Sequence, residues 1–171
     1  YSPFSGMEEV IRLVMTSFSR FASSGTRLVI KVHPWDAGLV NWDRVVRKTA
    51  ESLSVVDRVD FMHGGNLDEL ARHAEGMVTV NSTSGLHALQ VKCPVKVLGQ
   101  AVYDVRGLTY QGSLDTFWQS KQRPDTDLLS AFVNLMAATI QLRGVFFSEP
   151  GCTAAVQSAV KWLEANEIPS I

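Results

Sequence analysis

Two short runs in this chain carry the residue types that could do chemistry. Lys31-Val32-His33-Pro34 closes one apolar run, and Asn81-Ser82-Thr83-Ser84-Gly85 closes another within residues 77–99. Where a strand passes through serines, threonine and glycine into a helix, hydroxyls and free backbone N–H groups collect at the helix start, an arrangement suited to an anion. An ammonium and an imidazole at a second strand end add charge and donors of the kind that hold phosphate. Two such strand ends together point to a ligand carrying phosphate. Each also has a plainer reading. Lys31 and His33 can be the solvated end of a strand, and Ser82, Thr83 and Ser84 can be helix caps. One hydroxyl suffices for a cap, however, and three with a glycine exceed it. His87 falls one turn into the same helix, either within reach of this site or as a partly buried helix histidine. His63-Gly64-Gly65-Asn66 closes a third strand, and its glycines serve most simply as turn formers.

Other chemistries have nothing to rest on. The four histidines lack metal-binding spacing, with no HExxH and no His-Cys cluster, so no metal and no cofactor is expected. There is no GxxxxGK[ST], no GxGxxG after the first strand and no GxSxG, which removes a P-loop nucleotidase, a dinucleotide oxidoreductase and a hydrolase elbow. His73 reads as a surface helix residue. The catalytic residue is unknown at this level. Asp36, Asp104 and Asp115 lie in loops, where each reads as a solvated carboxylate.

The elements that must position these residues alternate along the chain. Met7, Val10, Ile11, Val14, Met15, Phe18 and Phe21 recur at helical spacing over 5–23. Residues 27–32 form a β-rich run ending at Pro34. Asn41 can cap a helix over 42–54, strand 59–62 follows, and Asn66 with Glu69 fits a capping box for 67–74. Strand 77–80, helix 84–91 and strand 95–98 complete a β-α-β-α-β-α-β order. That order predicts an α/β, Rossmann-like three-layer fold with a mainly parallel sheet, its strand C-termini on one ligand-binding edge. Residues 100–123 read as a long loop with a short helix near 114–119. Leu129, Phe132, Val133, Met136 and Ile140 mark another helix, and Val156, Val160 and Leu163 share a face of a last one ending near 165.

Bulk composition fits one globular domain over 1–171. The chain has 171 residues, 46% hydrophobic and 19% charged, and a net charge of −1 gives no reason to expect nucleic acid as a partner. Cys93 and Cys152 show no redox or metal spacing, which favours a reduced, cytoplasmic setting. No apolar run is long enough for a transmembrane segment, and no signal-peptide pattern opens the chain. Its start at Tyr1-Ser2-Pro3 leads us to expect a piece of a longer protein.

KVHP at 31–34, NSTSGLHAL at 81–89, PVKVLG at 94–99 and Tyr103-(x)3-Gly107-Leu108-Thr109 occur in an order that resembles the bacterial capsule polysaccharide biosynthesis and export family. That pattern reads K-x-HP, then S-x-x-G-[FL]-E-A-L, then G-x-x-x-Y-x-x-x-GLT. This chain has His87 at the Glu and Tyr103-Asp104-Val105-Arg106 where the pattern has a Tyr-Ala-Gly-Trp-like run. The resemblance implies half of a GT-B glycosyltransferase using CMP-Kdo as nucleotide sugar on a lipid or glycolipid acceptor. By the same likeness, Lys31 and His33 would meet the donor phosphate and Ser82, Thr83, Ser84 and Gly85 would cradle it. Tyr103, Gly107 and Thr109 would shape the donor side. Apart from the likeness, the positions of His87 and Asn66 at strand and helix ends make them residues that can line the same site. It implies a missing N-terminal domain as partner, and a cytoplasmic place, peripheral at the inner membrane. The alternatives are a UDP-sugar GT-B transferase, a nucleotide-sugar 2-epimerase-like domain, or a noncatalytic scaffold module.

Overall fold

The computed structural model describes residues 2–33, 36–120, 122–139, 144–145 and 148–165. Tyr1, Pro34 and Ile140, named above, lie outside them. The chain divides into two compact units, Tyr1–Leu129 and Ser130–Ile171.

In the first unit, helix α1 (Met7–Phe21) is followed by β1 (Leu28–Lys31), α2 (Trp42–Ser52), a short 3-10 turn (Val56–Arg58) and β2 (Val59–Met62). Then come α3 (Leu67–His73), β3 (Met77–Thr79), α4 (Ser84–Gln90), β4 (Val95–Val97), α5 (Leu114–Phe117) and the start of α6 (Thr126–Thr139). Apart from the 3-10 turn, which was not expected, each of these elements lies within a few residues of its expected place. The fold is α/β and Rossmann-like. β1 pairs in parallel with β2, Leu28 opposite Val59 and Lys31 opposite Met62, and β3 with β4, Met77 opposite Val95.

Where one sheet was expected, the described ladders join strands only in pairs. With strands of three or four residues, α1 supplies the connection that a longer ladder would give. Its Ile11 and Met15 pack with Val46 and Ala50 of α2 over Leu28, Ile30, Val59 and Phe61. Its Val10 and Val14 pack with Leu114 of α5 against Leu28, Val78, Val80 and Leu98. One amphipathic helix thus covers both strand pairs with adjacent stripes. A partly buried polar tie fixes α5 to it: Ser17 Oγ donates to Asp115 at 2.6 Å and accepts from Trp118 Nε1 at 2.8 Å. On the other strand pair α4 packs along β3 and β4 and against α3.

Both cysteines are free, and burial pushes the Cys93 thiol up to about 11, against a smaller opposing influence of Arg123. The second unit holds the rest of α6 and α7 (Gly151–Ala165), whose Val156, Val160 and Leu163 are exposed.

Candidate functional site

Lys31 and His33 stand at the C-terminal end of β1. The Val32 N–H still donates to the Met62 carbonyl at 3.0 Å, so ladder pairing carries the chain one residue past the strand. Leu28 and Ile30 face the α1–α2 core, which leaves Lys31 on the opposite side with Val29. The Lys31 ammonium donates to the Val32 carbonyl at 3.3 Å rather than to the serine turn. His33 is exposed, and its carbonyl accepts the Asp36 N–H at 3.0 Å. Asp36 in turn accepts from Gly38 N–H and Trp42 Nε1, which fastens this loop to α2.

The serine turn ends β3. Ser82 Oγ accepts the Ser84 N–H at 3.2 Å and donates to Ser84 Oγ at 2.9 Å. Gly85 N–H donates to the Ser82 carbonyl, and Leu86 and His87 N–H both donate to the Thr83 carbonyl. The backbone donors expected to be free at this helix start are therefore taken up within the turn, because a serine-supported turn and i to i−3 bonds close over them. What the turn offers outward is hydroxyl chemistry. Ser84 Oγ accepts from Ser82 and keeps its own proton to donate, and the exposed Thr83 hydroxyl has no partner among the described residues.

Behind the turn lies Tyr103, 2% exposed, whose hydroxyl donates to the Ser82 carbonyl. Its ring occupies the space a side chain at Gly85 would need. Gly107 adopts φ +94 and its carbonyl accepts the Asp125 N–H at 2.9 Å, turning the loop toward α6. Thr109 is 1% exposed, and its hydroxyl donates to Asp104 at 2.5 Å. Tyr103 and Thr109 support the site from within, as their burial requires.

Asn66 and His87 form a second group on the α3 side. The Asn66 side-chain Oδ1 accepts from Asp68 and Glu69 N–H, capping α3, while Glu69 turns to Arg72 instead of completing a capping box. His87 Nδ1 lies 3.6 Å from Asp68. Asn66→Ala should cost about 1 kcal/mol in a urea melt by the loss of that cap. A variant that melts with the parent would show that this cap carries no weight.

The structure thus gathers Ser82, Thr83, Ser84, Gly85, Tyr103 and Thr109 into one assembly, and does not join Lys31 to it. It adds Asp104, which the sequence placed among solvated loop carboxylates. Asp104 is exposed, yet its Oδ1 accepts from Thr109 and from Gln111 Nε2. Gly99 N–H donates to the Val80 carbonyl at 2.9 Å, so residues 99–104 are pinned to the end of β3 at both ends, here and at Tyr103. Along this segment a shallow, solvent-open depression of about 410 Å³ is lined by Gly99, Gln100, Ala101, Val102 and Asp104. Among the described residues no group of three or more His, Cys, Asp or Glu could hold a metal ion, and no helix is long and apolar enough to cross a membrane.

The model of the capsule polysaccharide biosynthesis protein family matches residues 1–147. Over 147 residues the chain is 37% identical to the capsule polysaccharide export protein KpsS of Escherichia coli, covering 86% of this chain and 38% of that protein. It is 37% identical over 147 residues to the capsule polysaccharide modification protein LipB of Neisseria meningitidis serogroup A, covering 85% and 35%. Protein FixF of Sinorhizobium fredii is 29% identical over 132 residues, covering 74% and 31%. The chain thus spans well under half the length of these relatives. No solved structure matches it.

Proposed function

Because the chain belongs to the capsule polysaccharide biosynthesis protein family, we propose that it is the donor-binding half of a GT-B-type glycosyltransferase. In this reading it binds CMP-Kdo, and the sugar passes to a lipid or glycolipid acceptor held with a missing N-terminal domain, in the cytoplasm at the inner membrane. The observation that supports this most is the serine turn, where the N–H groups of Ser84 through His87 are satisfied while Thr83 and Ser84 keep hydroxyl protons for a ligand.

The chemistry follows from charge. Breaking the sugar–phosphate bond leaves negative charge on CMP. Hydroxyl donors of the turn, held rigidly by the Tyr103–Ser82 bond, meet that charge without reorganising. Lys31 and His33 contribute from the end of β1, where α/β folds receive ligands. The base that activates the acceptor is unknown and is to be sought in the N-terminal domain.

Calorimetric titration with CMP and then UDP tests this. His33→Ala and Ser84→Ala should each weaken CMP about tenfold, the loss of one charge-assisted hydrogen bond, while melting as the parent does. Unchanged CMP affinity in folded His33→Ala would remove the residue from the site. Preference for UDP would move the domain to UDP-sugar chemistry, and no nucleotide binding would leave a scaffold.

A further inference from the structure

We propose that Asp104 is a ligand-binding residue that recognises ring hydroxyls of the donor, and that the open depression between Gly99 and Asp104 is their subsite. This rests on the donor-binding reading above and adds a contact that reading does not contain.

The Asp104 carboxylate is held at one of its two oxygens. Its Oδ1 accepts Thr109 Oγ1 at 2.5 Å and Gln111 Nε2 at 3.2 Å. Thr109 is itself buried, so one of these two bonds comes from a fixed point. Gln111 Nε2 also reaches Thr109 Oγ1 at 2.8 Å, closing a three-residue ring around a single carboxylate oxygen. Oδ2 has no partner among the described residues. A carboxylate whose one oxygen is immobilised and whose other oxygen is free can accept a ligand donor at little entropic cost.

The surroundings specify the donor. Asp104 helps line a shallow, solvent-open depression of about 410 Å³, wide enough for a ring to rest on its surface. Ala101 and Val102, the latter 61% exposed, line it as well, so a ring can lie against apolar atoms while its hydroxyl edge meets the carboxylate. An ionised carboxylate is an acceptor only, which selects hydroxyls and rejects phosphate. Phosphate therefore belongs at the serine turn, and the hydroxylated ring beside it. The two subsites are contiguous, since Tyr103, next in sequence to Asp104, bonds the Ser82 carbonyl. The hydroxyls can come from the nucleotide's ribose or from the transferred sugar.

Titrations of the full chain and of Asp104→Asn with CMP, 2′,3′-dideoxy-CMP and CMP-Kdo decide the matter. Asn keeps an oxygen for Thr109 and Gln111 but replaces the free acceptor with an amide. If the ribose is read, the parent prefers CMP over the dideoxy compound about tenfold and the variant loses that preference. If the sugar is read, both proteins bind the two nucleotides alike and only CMP-Kdo weakens in the variant. Either result supports the inference, and the ribose comparison within the parent needs no substitution. Equal binding of all three by parent and variant, with Ser84→Ala weakened throughout, overturns it and leaves the donor reading intact. No binding of any of them by the parent overturns both.

Discussion

Gly85→Ala should cost about 3 kcal/mol, the upper end of what overpacking a rigid site does. A Cβ on residue 85 would lie 2.7 Å from Cζ and 2.8 Å from Cε2 of Tyr103. Neither partner can give way cheaply. The ring is 2% exposed and tethered through its hydroxyl to the Ser82 carbonyl, and Gly85 is itself buried in the first turn of α4. The helix start must move outward, which breaks the tether that sets the serine turn. For a chain of this size the loss corresponds to a fall of about 10 °C in melting temperature. Gly64→Ala is the control, because nothing lies within 4 Å of a Cβ there. Shrinking the obstacle, as in Gly85→Ala with Tyr103→Leu, should recover part of the loss. A single Gly85→Ala variant that melts with the parent would show that the ring yields, and the packing account of this glycine would fail.

That glycine also marks where sequence reading stops. Its place in Ser-Thr-Ser-Gly was legible as part of a strand-to-helix turn, and so were the caps Asn41 and Asn66, because caps and turns are decided by residues a few positions apart. The reason for a glycine was not, since the ring that excludes a side chain comes from eighteen residues away in a loop without periodicity. Asp104 was opaque for the same reason. A carboxylate in an irregular loop looks solvated until the chain folds Thr109 and Gln111 back onto it. Asp115 reads similarly, yet accepts Ser17 across 98 residues of sequence. The pairing of strands into two ladders was hidden too, because a strand of three residues gives the same apolar signal whether or not its outer edge is paired.

Tyr103→Phe should reverse its effect on stability as the solution becomes alkaline. At neutral pH the variant loses the bond to the Ser82 carbonyl and should be less stable by about 1 kcal/mol. In the parent, burial and the neighbouring Asp104 charge push the Tyr103 hydroxyl up to about 12 from an ordinary value of 10.0. The folded protein therefore holds this proton over a range where the unfolded chain has released it. Since the folded state binds more protons there, parent stability falls with rising pH between about 10 and 12, by about 2 kcal/mol in all. Phenylalanine has no proton to lose, so its curve lacks that component. The buried Cys93 thiol adds an alkaline loss of its own, beginning lower, but it is common to both proteins and cancels in their difference. The parent should thus lead at pH 8, the two curves should meet near pH 11, and the variant should lead above it, as read from urea midpoints at each pH. Parallel curves across that range would mean that the Tyr103 hydroxyl is not sequestered by the fold, and with it would go the claim that this ring anchors the serine turn from within.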